Sequence, residues 1–321
     1  MSGTTSGGGR AAGKVASAGG VDLLGVFMCL LAAIAWGTTG TAATFAPDVP
    51  AVAIGAAAMG FGGLLQASRA LSGIRTNRGA LWRHKTLLAS GALAVAIYPL
   101  AFYASMRLAG VTIGTVISLG SAPLLSALIE NRLEGARLTL RWATGAAIGV
   151  TGIVLLSLGE GAEAGVASGD NVVLGTVLGL VAGGTYALYS WTTRRMMQAG
   201  LSSRVAMGAT FGLGGLMLMP VLVATGAPFL MSAGNLAVGA YMALVPMFLG
   251  YIAFGQALSR ISASLATTIT LFEPVVAALL AVVIVGERLA VSGWTGVALI
   301  VACLIWTTAP LPRRRGRGRL S

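Results

Sequence analysis

The chain has 321 residues, 56% of them hydrophobic and only 9% charged, with a mean hydropathy of +0.87. A soluble domain carries about 25% charged residues, so this composition excludes a soluble globular protein and predicts a polytopic membrane protein. The net charge of +12 and the tail RRRGRGRLS do not point to nucleic acid: cytoplasmic loops of membrane proteins collect Lys and Arg, and no soluble domain or aromatic-interleaved basic patch accompanies them.

Along the chain, residues 1–20 are rich in Gly, Ser and Ala and are expected to be disordered on the cytoplasmic side. A spanning helix needs about 20 mostly apolar residues. Ten such segments are predicted: 22–44, 50–70, 87–106, 110–130, 140–158, 172–194, 204–225, 235–257, 261–284 and 291–309. The first exceeds a signal-peptide core of about 7–15 residues, so TAATFA after it reads as a helix end rather than a cleavage site. The longest polar break, 159–171 (GEGAEAGVASGDN), is the expected extracytoplasmic linker between two five-helix halves, 21–158 and 172–309. A basic tail, 310–321, follows. Cys29 and Cys303 both fall in apolar segments and offer neither a disulfide framework nor metal spacing.

Placing the N-terminus inside puts all but two of the 21 Lys and Arg on the inner side, with Arg107 and Arg288 the exceptions. One helix more or fewer would scramble that split, so an N-in, C-in topology is predicted. The basic tail then lies beside the anionic inner leaflet. The acids Asp48, Glu160, Glu163, Asp170 and Glu287 fall outside.

The two halves are similar at a spacing of about 150 residues. LLGVFMCLLAAIAWG (23–37) answers VLGTVLGLVAGGTYA (173–187), placing Trp36 opposite Tyr186. MGFGGLL (59–65) answers FGLGGLM (211–217). Five helices per half force the second copy to enter the membrane upside down, and inverted repeats are the mark of alternating-access transporters, with a site at the midplane between the repeats. In the fourth helix Thr112, Thr115, Ser118 and Ser121 form a polar stripe, matched in the ninth by Ser264, Thr267, Thr270 and Glu273. Pro123 and Pro274 follow the stripes. Such Ser and Thr either bond their own helix or glue neighbouring helices; two matched stripes ending at a proline favour a cavity lining.

AWG (35–37), LFEPVVAALLAVVIVGERL (271–289) and GWTGVALIVACLIW (293–306) resemble the drug/metabolite transporter superfamily, EamA type, over residues 22–309. The first half departs from that pattern, with EGARL (134–138) where GERL is expected. The resemblance implies an all-α membrane protein of ten transmembrane helices in two inverted repeats. It also implies secondary transport across the bacterial inner membrane, commonly export of amino acids or other small metabolites, around a cavity framed by helices 1, 3, 4, 6, 8 and 9.

Glu273 is read as the acid well inside a predicted span. An ionisable group there costs about 2.5–3.5 kcal/mol on insertion scales and marks function by default. A carboxyl that exchanges its proton could couple transport to a proton gradient or meet a substrate ammonium. Equally, Pro274 leaves the Thr270 carbonyl without its helix donor and biases Glu273 away from helical geometry, so Glu273 could instead satisfy the backbone at a break. Trp36, Tyr98, Tyr103, Tyr186, Tyr251 and Gln256, with Ser118, Thr270 and Glu273, are the candidate cavity residues. Tyr189, nearer a helix end, reads as part of the interfacial aromatic belt. Pro99, Pro123, Pro246 and Pro274 are candidate hinges. The one histidine, His84, has no acid or nucleophile near it, and no metal cluster or phosphate-binding Gly loop is present. No enzyme, cofactor or metal is expected. The expected partners are a small-molecule substrate, the bilayer and, through Glu273, protons. A multidrug or other metabolite carrier of the same fold, or a membrane scaffold, is the alternative.

Overall fold

The computed structural model describes residues 22–159, 169–286 and 288–309. Ten helices among them are long and apolar enough to cross a membrane: α1 (Leu23–Ala43), α2 (Ala51–Thr76), α3 (Lys85–Ala109), α4 (Ile113–Glu134), α5 (Leu140–Leu158), α6 (Asn171–Gln198), α7 (Ser203–Thr225), α8 (Ala233–Leu258), α9 (Ala263–Ile284) and α10 (Val291–Thr308). No strand occurs among the described residues. The expectations for residues 1–20, for most of the linker and for the tail 310–321 lie outside the described residues, as do Glu160, Glu163 and Glu287.

Local chemistry sets the helix starts. The side chains of Asp22, Ser202, Ser232 and Ser262 accept backbone N–H bonds from Gly25, Val205, Asn235 and Leu265 at 2.9–3.3 Å, satisfying first-turn donors. The ends of α2, α4 and α6 differ from expectation, each running past its apolar stretch into the basic loops. Apolarity marks where a helix leaves lipid, whereas the backbone continues until something stops it. Glycines stop two of these helices: Gly135 at φ 67° follows α4, and Gly200 at φ 96° lies just beyond α6, a conformation that favours glycine. Asn77 ends α2, and a short helix, Arg78–Arg83, follows that the hydrophobic pattern did not predict.

The helix pairings carry the repeat into three dimensions. α2 packs on α7, α4 on α9 and α5 on α10. α6 packs on α3 and α4 as α1 packs on α8 and α9. Exchanging each helix with the one five positions later maps this set onto itself, and with five helices per half the copies run in opposite senses. Glycines at the crossing repeat the relation residue by residue. A Cβ on Gly62 would meet Met247 Cβ at 2.5 Å, and one on Gly214 would meet Val95 Cγ1 at 2.6 Å. Gly60 against Met219 and Gly212 against Ala67 form a second such couple, at 2.3 and 2.5 Å. Without a hydrophobic drive between helices in lipid, such close packing is what holds a bundle together.

The symmetry fails in the regularity of the helices. Pro99 and Pro123 lie inside continuous α-helix. In the second half, α8 changes winding to a π-helix over Ala243–Gly250, which contains Pro246. α9 tightens to a 3₁₀ turn at Thr270–Phe272 before resuming at Glu273, and becomes π-helical again over Ala281–Val285. The expected break therefore follows Thr270, but Glu273 itself is helical, with φ −53° and ψ −52°. The 3₁₀ turn immediately before it takes up the change of winding, so the proline does not force Glu273 into an extended conformation.

Candidate functional site

The site begins with Gly37. A side chain there would put Cβ 2.5 Å from Val276 Cβ and 2.8 Å from the Glu273 carbonyl oxygen. Glycine thus lets the α1 backbone lie directly on the break in α9. Its neighbour Trp36 reaches across to α8 and donates from Nε1 to the Pro246 carbonyl at 2.9 Å. Gly250 leaves room for that indole, since a Cβ there would lie 2.9 Å from Nε1. From α2, the buried Gln66 donates Nε2 to the Phe248 carbonyl at 2.8 Å. Two side chains from the first half thereby bond carbonyls of the π-helical segment in the second, as irregular backbone at membrane depth requires.

Around this joint the aromatic side chains form one continuous set. Trp36 meets its repeat counterpart Tyr186 edge-on, centroids 6.3 Å apart and planes at 80°. Trp36 also lies 4.7 Å from Tyr251, and Tyr98 lies 5.7 Å from Tyr186. The Tyr189 and Tyr251 hydroxyls are bonded at 2.9 Å. The Tyr186 hydroxyl is 2.8 Å from Thr270 Oγ1, which itself donates to the Thr267 carbonyl at 3.0 Å. A hydroxyl has one proton, so Tyr186 is the donor in that pair.

These side chains enclose a cavity of about 60 Å³. Its walls come from α1 (Trp36, Thr39), α2 (Gly55, Ala58, Met59), α3 (Tyr98, Pro99, Phe102, Tyr103), α6 (Tyr186, Tyr189), α8 (Met242, Met247, Tyr251) and α9 (Glu273). The volume admits a few waters and falls well short of the roughly 300–1,000 Å³ of a ligand pocket, so this is a constricted conformation. Glu273 supplies the one carboxyl in the wall, and no basic residue lines it. Among the described residues no side chain or backbone donor is hydrogen-bonded to that carboxyl.

The cavity reaches from the middle of the bundle, at Tyr189 and Tyr251, toward the end away from the arginines, at Gly55 and Tyr103. The arginine-rich end is tied shut. Glu130 accepts the Ala263 N–H at 2.7 Å and the Ser264 hydroxyl, capping α9 from α4. Glu134 accepts from Trp191 Nε1 at 2.8 Å and faces Arg195 at 3.6 Å. Arg194 Nε donates to the Ile261 carbonyl at 2.7 Å, and Arg260 pairs with Asp22 at 3.3 Å.

Of the sequence-derived candidates, Trp36, Tyr98, Pro99, Tyr103, Tyr186, Tyr251 and Glu273 come together in the wall. Thr270 stands behind it, holding Tyr186. Pro246 holds Trp36 through its carbonyl, and Pro274 follows Glu273 in α9. Ser118 is elsewhere: it is fully buried on α4, where a Cβ on Gly183 of α6 would meet the Ser118 carbonyl at 2.7 Å, and its hydroxyl has no partner among the described residues. Pro123 is likewise absent from the wall. Gln256 lines a separate recess near Arg194 and Arg204. The Thr112 side chain lies outside the described residues.

Three residues escaped the sequence reading. Tyr189 is no belt residue: it is 1% exposed and bonded to Tyr251, and because α6 runs on to Gln198 it stands well clear of the helix end. Its spacing of one turn from Tyr186 was the available signal. Gln66 was hidden in a run of small residues. Glu130 was placed at the last residue of the fourth predicted helix; α4 runs one turn further, to Glu134, and Glu130 is 4% exposed there.

A family model described as the EamA-like transporter family matches residues 23–158 and 173–309. The uncharacterized transporter YwfM of Bacillus subtilis (strain 168) is 29% identical over 298 residues, covering 89% of this chain and 94% of the relative. An uncharacterized transporter of Clostridium kluyveri is 29% identical over 135 residues, 41% of this chain and 43% of the relative. A solved crystal structure, 22% identical, covers 88% of this chain and 96% of its own with a TM-score of 0.72, and shares the fold.

Proposed function

The chain belongs to the EamA-like transporter family, a multi-pass membrane transporter rather than an enzyme, and we propose that it exports a small ammonium-bearing metabolite, amino acids among the candidates, in exchange for protons at Glu273. One observation carries this reading. A carboxyl stands in the wall of an aromatic cavity between the two repeats, with no hydrogen-bond donor to it and no basic residue beside it among the described residues. The break itself does not call for the carboxyl, because the Thr270 carbonyl that Pro274 deprives of its donor accepts the Glu273 backbone N–H instead. An unpaired carboxyl is free to take either a proton or an ammonium, and a group that serves both in turn couples the two movements. The aromatic faces suit the rest of a cationic substrate.

The arginine-rich end is read as cytoplasmic by the positive-inside rule, with the membrane that of a bacterial cell. Closure at that end, with the cavity reaching toward the opposite one, is then one state of an alternating-access cycle. Of the two substrate classes, other amines fit the wall better than amino acids. A substrate carboxylate would find no cationic group there, only tyrosine hydroxyls and the already bonded donors of Trp36 and Thr39.

The test is uptake into everted vesicles from a panel of amines and amino acids, with and without a proton gradient. Wild type is expected to accumulate a panel member only with the gradient, and Glu273→Gln to lose that accumulation while remaining folded. Gradient-driven uptake unchanged in the variant would remove Glu273 from coupling. No uptake of any member would favour a scaffold.

A further inference from the structure

The central cavity has a large apolar neighbour. A groove of about 500 Å³ lies between α1, α8 and α9, bounded by Thr38 and Thr41, by Ala237 and Tyr241, and by Leu280 and Ile284. The two spaces are lined by neighbouring residues of α1 and α8, which form a wall between them. On α1, Thr38 faces the groove and Thr39 the cavity; on α8, Tyr241 faces the groove and Met242 the cavity. A single side-chain bond latches that wall. Tyr241 donates its hydroxyl to Thr38 Oγ1 at 2.8 Å, and Thr38 passes its own proton to the Ala35 carbonyl at 2.7 Å. On α9, Leu280 follows Glu273 by two helical turns, about 10 Å, so one helix presents the carboxyl to the cavity and an apolar side chain to the groove.

In this constricted conformation the cavity has the carboxyl but little volume, whereas the groove has the volume and almost no polar surface. Building on the reading of Glu273 above, we propose that the substrate is an amphipathic amine that occupies both: its ammonium sits at Glu273 and its apolar tail lies in the α1–α8–α9 groove, past the Tyr241–Thr38 latch. Charge complementarity fixes the head, and the groove that adjoins the cavity wall at Thr38 and Tyr241 receives the tail. Ile284 and Phe45, at the ends of α9 and α1, are more than half exposed, so the groove is open at that end of the bundle.

The experiment measures protection of Glu273 from dicyclohexylcarbodiimide by n-alkylamines, ethylamine to decylamine. The label is read by mass on the Glu273 peptide of the full chain in lipid nanodiscs. Ala237 is exposed on the groove side of α8, so Ala237→Trp fills the groove without entering the cavity, and Ala237→Leu fills it in part. Ala240→Trp, on the opposite groove of the same helix, is the control.

The half-protecting concentration of Ala237→Trp relative to wild type is expected to stay near unity for ethylamine. It should rise roughly tenfold or more for decylamine, with Ala237→Leu between and Ala240→Trp unchanged. Taking the ratio removes the tail's own partition into lipid. A ratio that does not grow with chain length, or grows equally in Ala240→Trp, leaves the groove to lipid acyl chains and overturns the tail assignment alone. No protection by any amine, ethylamine included, overturns the ammonium reading of Glu273 and this inference with it.

Discussion

Glycines decide where this bundle closes, and two of them on one helix make the point. Gly37 and Gly40 both lie in α1, but a Cβ on Gly37 would press on the Glu273 carbonyl and on Val276, whereas one on Gly40 would meet nothing within 4 Å. The carbonyl is backbone and cannot rotate away. Gly37→Ala is expected to destabilise the protein by about 1–3 kcal/mol through overpacking. Gly40→Ala should be neutral or slightly stabilising, because alanine favours the helix. Thermal unfolding of the two variants in the same detergent checks the contrast; equal shifts would mean that α1 does not rest on the α9 break. Trp36 and Glu273 were legible as candidates because a bulky aromatic and an acid stand out in an apolar helix. The reason for Gly37 was not, since the residue it accommodates is far away in sequence.

At the scale of elements, the irregular stretch of α8 depends on partners outside it. Gln66 of α2 bonds the Phe248 carbonyl and Trp36 of α1 bonds that of Pro246. Gln66→Leu keeps the bulk and removes one of two donors to the Phe248 carbonyl, which retains the Tyr251 N–H, at a cost of about 0.5–1.5 kcal/mol. Faster hydrogen exchange confined to residues 243–251 is the expected signature. Exchange that rises equally through α2 would instead indicate lost packing. The prolines alone did not foretell this pattern: Pro99 and Pro123 sit in continuous helix, while Pro246 and Pro274 accompany changes of winding. A missing N–H removes one bond in every case, and the surrounding side chains determine whether the helix rewinds.

For the whole molecule, the pseudo-two-fold arrangement provides two equivalent ways to close, and the structure is closed at the arginine-rich one. Glu130 joins α4 to α9 there, beside Ser126, whose hydroxyl accepts from Thr267 at 3.3 Å. Glu130→Ala removes the cap from α9 and is expected to shift the population toward opening at that end. A cysteine at Ser126, in a chain with Cys29 and Cys303 replaced by alanine, should be shielded from an aqueous maleimide with Glu130 present. It should become reactive with Glu130→Ala. Labelling at equal rates in both would show that Glu130 is no part of the closure. The membrane class, the ten spans and the duplicated halves were legible in the chain alone, because bilayer thickness and the apolar period act on each segment separately. Glu273 stood out as well, since an acid in an apolar run is visible without any neighbour. Only the tertiary structure decided that Tyr189 belongs to the cavity and Ser118 and Gln256 do not, and that Glu130 binds a helix end while the Glu273 carboxyl has no hydrogen-bond partner among the described residues. Those outcomes depend on which helix faces which, and that is set by close contacts between residues far apart in the chain.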